Sequence, residues 1–259
     1  MFGLPIPGVD EVPDELRVLI ALGLMLLLIL LRLDAERFNA AEYNDTDRWG
    51  RRPSLIRRIA FYILGLGLVF AVVTIHPRAA GELYLTLGER LGALILGLAY
   101  GAIGLAIAVG LALWRYRRVR VPAMSAIPVA VVNAVVTTLM DEAVFRGMLF
   151  GFMVTAGIDP NLANLTQALV YALATRLGAP GRPWYMLVVV LAAGLAGGWL
   201  TGITGGIGAA FLGHAISRCA IFFTTGHSGI PKPRGTEEEE VEHRRRTPEG
   251  WQVLDAPEG

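Results

Sequence analysis

One cysteine, Cys219, stands in 259 residues, which leaves no internal disulfide framework and no thiolate cluster for zinc. The thiol reads as a small apolar side chain inside a helix. Charge is scarce as well: 17% of residues are charged and 54% hydrophobic, where an ordinary soluble domain carries roughly 25% charged residues. Too little polar surface remains to coat a water-soluble particle of this size. A basic excess is also lacking, since the formal net charge is +1, and this argues against a nucleic-acid partner. No tandem repeat of fixed period and no His-Glu-x-x-His zinc motif is found.

Long apolar stretches are abundant. Seven of them, at about 16–33, 57–76, 91–114, 126–157, 161–177, 183–201 and 204–225, are separated by charged or Gly/Pro-rich breaks. The expected fold is all-α, a polytopic membrane bundle of about seven helices whose surroundings are the lipid bilayer. The first stretch is read as a helix rather than a cleaved signal peptide, because no basic residue precedes Arg17 and Asp34, Ala35, Glu36, Arg37 follow Leu33. Arg17 and Arg32 at its ends are read as extending their heads to the interface.

Arginine placement sets the expected orientation. The loop after the first stretch carries Arg32, Arg37, Arg48, Arg51, Arg52, Arg57 and Arg58, and the loop after the third carries Arg115, Arg117, Arg118 and Arg120. The turns at Asp159–Pro160 and at Thr201–Gly206 carry none. A plasma-membrane protein with its N-terminus outside and its C-terminus in the cytoplasm follows. Three regions are expected: N-terminal helices and loops over 1–125, a core over 126–225, and a disordered cytoplasmic tail over 226–259, rich in Pro, Gly and charge. Gly194, Gly198, Gly202 and Gly206 recur every fourth residue and predict close helix packing, with a flexible turn near Gly205 as the second reading.

An ionisable group at depth in a bilayer costs several kcal/mol unless paired or hydrated. Such groups concentrate in two stretches: Asp141, Glu142 and Arg146 in the fourth, His214 and Arg218 in the seventh. Glu142 and Arg146 have the i,i+4 spacing and order of an ion pair. Asp141 aligns with Asn133 and Thr137, and Thr138 aligns with Glu142. A stripe of Asn164, Gln167, Tyr171 and Thr175 lines the fifth stretch. Thr137, Thr138, Asn164 and Gln167 are read as interhelical hydrogen-bonding positions, whereas Asp141, Glu142, Arg146 and His214 are read as a pocket. His76, His227 and His243 are read as solvated. Asp141, Glu142 and His214 are also a weak candidate for a three-ligand divalent metal site; no cofactor is otherwise implied.

The run Asp141, Glu142, Ala143, Val144, Phe145, Arg146, Gly147 resembles the Glu-Glu-x-x-x-Arg motif of the CAAX-protease and bacteriocin-processing (CPBP, or Abi) intramembrane endopeptidases. The glycine-rich segment ending Leu212, Gly213, His214 resembles that family's last motif, His-x-x-x-Asn. The likeness covers about Ile127 to Phe223. It implies a glutamate-dependent protease that cleaves peptides near the membrane, in which the first glutamate and a histidine from a Phe-x-x-x-His helix activate water, while a second histidine and an asparagine stabilise the oxyanion.

Carried over by residue, the family's first glutamate is Asp141, one methylene shorter, and a misplacement of about 1 Å can cost on the order of 100-fold in rate. Glu142 and Arg146 keep the motif. The histidine of the Phe-x-x-x-His helix is replaced by Thr175, with Tyr171 at the phenylalanine position; His214 is kept, and Arg218 stands for asparagine. The sequence therefore implies a family member with a degenerate site that binds a membrane peptide, lipidated segment or protein partner. An active endopeptidase using Asp141 as base is the alternative, and a small-solute transporter a third reading, for which no inverted repeat is seen.

Overall fold

The chain is described here by a computed structural model covering residues 12–38, 40, 55–116, 119, 124, 127–177 and 184–225. The expected tail from Gly226, with His227 and His243, and the loop arginines Arg48, Arg51, Arg52, Arg117, Arg118 and Arg120 lie outside the described residues.

All seven apolar stretches are helical. The elements are α1 (Asp14–Leu33), α2 (Leu55–Ile75), a short α3 (Ala79–Glu82), α4 (Arg90–Tyr116), α5 (Ile127–Asp141), a π-helical segment (Glu142–Leu149), α6 (Phe150–Thr155), α7 (Pro160–Leu177), α8 (Trp184–Thr204) and α9 (Gly208–Thr225). Five spans are long and apolar enough to cross a bilayer: α1, α2, α4, the continuous Ile127–Thr155 rod, and α8 over Met186–Thr204. The α7 helix is too polar to join them, and Gly208–Thr224 is apolar but shorter. Large apolar side chains such as Leu19, Leu26, Ile63, Leu91 and Ile103 remain exposed, a belt that only lipid would cover. The protein is a multi-pass membrane protein.

Local sequence accounts for the joints. Asp159 caps α7, its Oδ1 accepting from the Asn161 and Leu162 amides at 2.9 and 3.2 Å, with Pro160 in the first helical position where no N–H is needed. Just upstream, Gly157 at φ +84° closes α6: its amide bonds to Val154 O and that of Ile158 to Met153 O, both at 3.0 Å, which is the Schellman pattern. The expected turn at Thr201–Gly206 is narrower than the sequence suggests, because α8 runs through Thr204 and only Gly205, at φ +70°, supplies the reversal.

A loop over 84–89 is fastened onto that turn. Ile207 N–H donates to Tyr84 O at 3.2 Å, Glu89 N–H to Thr204 O at 2.8 Å, and the Thr86 hydroxyl to Gly205 O at 3.1 Å. The glycine periodicity of α8 does the packing work expected of it. Gly194 lies against Ala168 of α7, and Gly198 against Asn164 and Gln167. Gly97, Gly101 and Gly104 likewise let α4 lie along α9.

The Ile127–Thr155 rod is the axis of the bundle: 56% of its most apolar window is buried, against 17–33% for the other spans. It interrupts its α-helical ladder with the π segment, which neither composition nor spacing announces. Such π stretches are rare and tend to occur at functional sites. Here the irregularity begins at Glu142, immediately after Asp141.

Candidate functional site

Asp141, Glu142, Arg146, His214 and Arg218 converge in the interior where α5 and the π segment meet α9 and α7. Asp141 is 2% exposed and Arg146 0%. Burying ions at this depth costs several kcal/mol each unless their partners are well placed, so the pairing decides what the site can do.

Both oxygens of Asp141 are taken. Oδ1 accepts from Arg32 Nε at 2.8 Å, and Oδ2 accepts from Arg218 Nη2. Arg32 therefore corrects the sequence reading. It does not extend toward water at the helix end but turns inward, 7% exposed, because a buried carboxylate is the stronger attraction.

Arg218 is the hub of the network. Besides Asp141 it donates through Nη1 to the Thr137 hydroxyl and through Nε to His214 Nε2 at 3.1 Å. With Nε2 acting as acceptor, the network assigns the ring proton to Nδ1, which faces Glu142 Oε1 at 2.6 Å. The Tyr171 hydroxyl also lies 3.3 Å from His214 Nε2.

Glu142 and Arg146 do pair, as their spacing predicts, but loosely: Arg146 Nη1 stands 3.4 Å from Glu142 Oε1 without hydrogen-bond geometry. The guanidinium instead lies over the Tyr171 ring, 4.0 Å from its centroid. Glu142 Oε2 is buried and has no hydrogen-bond partner among the described residues. Among the four carboxylate oxygens of the site it is the one left unengaged.

The polar stripe of α7 divides between two tasks. Gln167 Nε2 donates to Asn164 Oδ1 at 2.7 Å and to Gly194 O at 2.9 Å, and Asn164 Nδ2 donates to Leu195 O at 3.1 Å, so these two amides clamp α7 to α8. Tyr171 joins the ionic site. Thr175 is buried, and among the described residues its hydroxyl has no partner, nor does that of Thr138. On α5, Asn133 accepts from the Tyr62 hydroxyl through Oδ1 and from the Thr137 hydroxyl through its carbonyl at 2.6 Å.

Two sequence expectations are corrected. Asp141, Glu142 and His214 do not gather as a metal site: among the described residues no group of three or more His, Cys, Asp or Glu side chains is placed to hold an ion. His76, read as solvated, is 4% exposed and packs edge-on to Phe152, with ring centroids 5.6 Å apart. Its Nδ1 accepts from the Arg78 amide at 3.2 Å.

A narrow recess leads to the site. It is lined by Arg32, Ala35, Ala40, Phe61, Thr137, Met140, Asp141 and Arg218, and has room for about one water molecule.

Fold and site together define a multi-pass helical membrane protein with an ion-paired carboxylate, histidine and arginine cluster inside the bundle. Residues 122–220 match the family model described as Rce1-like, type II CAAX prenyl endopeptidase Rce1-like, and the match supports the likeness of this segment to the CPBP family. No curated protein and no solved structure matches the chain.

Proposed function

We propose that this protein is a catalytically impaired CPBP member that binds a membrane peptide, a lipidated segment or a protein partner through its intramembrane site. The observation that supports this reading is the double engagement of Asp141. A general base needs a free lone pair aimed at the water it deprotonates, and both Asp141 oxygens are held by guanidinium groups. His214 Nε2, at the position of the family's oxyanion histidine, is likewise engaged, by Arg218, and the family's water-activating imidazole is replaced by the Thr175 hydroxyl. An N-terminus outside, a cytoplasmic tail and residence in the plasma membrane complete the proposal, on the strength of the arginine-rich loops.

The alternative is an active endopeptidase with Asp141 as base. It requires Arg218 or Arg32 to withdraw when substrate enters. A library of membrane-anchored and lipidated peptides, incubated with purified folded protein with and without chelator, separates the two. Saturable binding without cleavage is the expected outcome. Cleavage that disappears in both Asp141→Ala and His214→Ala variants would establish the alternative and overturn the proposal.

A further inference from the structure

A threonine in a helix can satisfy its hydroxyl locally, by donating to the carbonyl one turn back. Buried Thr137, Thr201, Thr204 and Thr224 all do so, donating to the carbonyls of Asn133, Gly197, Leu200 and Ala220 at 2.6–3.0 Å. Thr138 and Thr175 do not. They are 0% and 2% exposed, and among the described residues their hydroxyls have no hydrogen-bond partner. Buried polar groups in this condition are costly and uncommon, and an ordered water is the usual remedy.

The carboxylate between them is Glu142, whose Oε2 also has no hydrogen-bond partner among the described residues. Thr138 lies one turn before Glu142 on the same face of the central rod, and helical side chains lean toward the N-terminus, which carries the Glu142 carboxylate back toward Thr138. Thr175 arrives from α7. That helix doubles back along the rod after the Gly157 turn and sets Tyr171 beneath Arg146. Thr175 is one turn on from Tyr171, and Glu142 is one turn back from Arg146, so in this antiparallel pair the two stand at one level. His214 of α9 bridges the same two helices there, with Nδ1 2.6 Å from Glu142 Oε1 and Nε2 3.3 Å from the Tyr171 hydroxyl.

We propose that Glu142 Oε2 and the Thr138 and Thr175 hydroxyls hold one buried water molecule between the rod and α7. Its two hydrogens go to Glu142 Oε2 and to one threonine oxygen, and its own oxygen accepts from the other threonine hydroxyl. That gives the three hydrogen bonds typical of an internal water. Glu142 is then the carboxylate of this site that touches water, since Asp141 has each oxygen on a guanidinium. The inference does not depend on whether a peptide is bound or cleaved.

The test is thermal unfolding of the full chain in a neutral maltoside detergent, for Thr138→Val, Thr175→Val and the double variant. Valine keeps the branched shape and replaces the hydroxyl with a methyl. Each single change should lower Tm by about 2–4 °C, the usual shift for one buried hydrogen bond. The double variant should lose clearly less than the sum, because the water departs once. A Tm unchanged or raised by either single change would mean a hydroxyl that serves no water, and additive losses would mean two unconnected hydroxyls; both overturn the proposal. Should the double variant fail to fold, an experimental density map of the wild type that shows ordered water decides. A peak within about 3.2 Å of Glu142 Oε2 and of both threonine oxygens supports the site, and its absence overturns it.

Discussion

Arg32 and Asp141, 109 positions apart in sequence, meet at 2.8 Å in the interior, so the first helix of the chain is tied ionically to the carboxylate that begins the π segment. The same carboxylate is held on its other oxygen by Arg218 of α9. One side chain thereby joins three helices.

Removing that carboxylate leaves two guanidiniums facing each other with no counter-charge. Asp141→Asn should lower stability by roughly 3–5 kcal/mol, the usual penalty for stranding one side of a buried pair. Denaturant or thermal unfolding in detergent measures it, and a loss under about 1 kcal/mol would contradict the pairing described.

Tyr171 offers a way to separate its two roles. Tyr171→Phe keeps the ring beneath Arg146 and removes the hydroxyl near His214, at an expected loss of about 1 kcal/mol. Tyr171→Leu also removes the aromatic face, adding roughly 0.5–2 kcal/mol. Equal losses in the two variants would show that the ring contributes nothing to holding Arg146.

His76, just beyond α2, gives a pH dependence of known sign. Burial holds its pKa below the ordinary 6.5, with the nearby Glu82 opposing and Arg78 adding to the shift. The folded state then binds fewer protons than the unfolded chain, so this contribution is complete above about 6.5 and is lost as pH falls toward the lower folded value. Unfolding midpoints recorded from pH 8 to 5 should fall in the wild type and fall less in His76→Phe. Identical profiles would place the titrating group elsewhere.

Two glycines of α4 should respond in opposite directions. A side chain at Gly101 would press on Ile216 of α9, so Gly101→Val should destabilise by about 1–3 kcal/mol. Nothing lies within 4 Å of the position a Cβ would take at Gly110, and Gly110→Ala should instead gain roughly 0.5–1 kcal/mol of helix propensity. Comparing their Tm values on one background is sufficient.

Much of this architecture was legible in the sequence because bilayers demand long apolar runs, and the seven runs all became helices. Asp141, Glu142, Arg146 and His214 were legible for a related reason, as ions too costly to leave at depth without a task. Arg32 was misread because an arginine near a helix end has two good solutions, and only the partner chooses between them. A clue existed: Glu142 had Arg146 at i,i+4, while Asp141 had no base on its own face of α5 and needed one from elsewhere. The π segment left no trace in composition or period, since it displaces side chains by a fraction of a turn. Burial of His76 could not be foreseen either, for it depends on Phe152 arriving from the far end of the central rod.

The loop over 84–89 follows α3 and is fastened to the Gly205 turn. Glu82, Leu83 and Leu85 close in further against Gly147 and Gly151. The chain between α3 and α4 is thus seated directly on the central rod. A larger side chain at Gly147 or Gly151 would lift it away, and with it the Gly205 turn that joins α8 to α9.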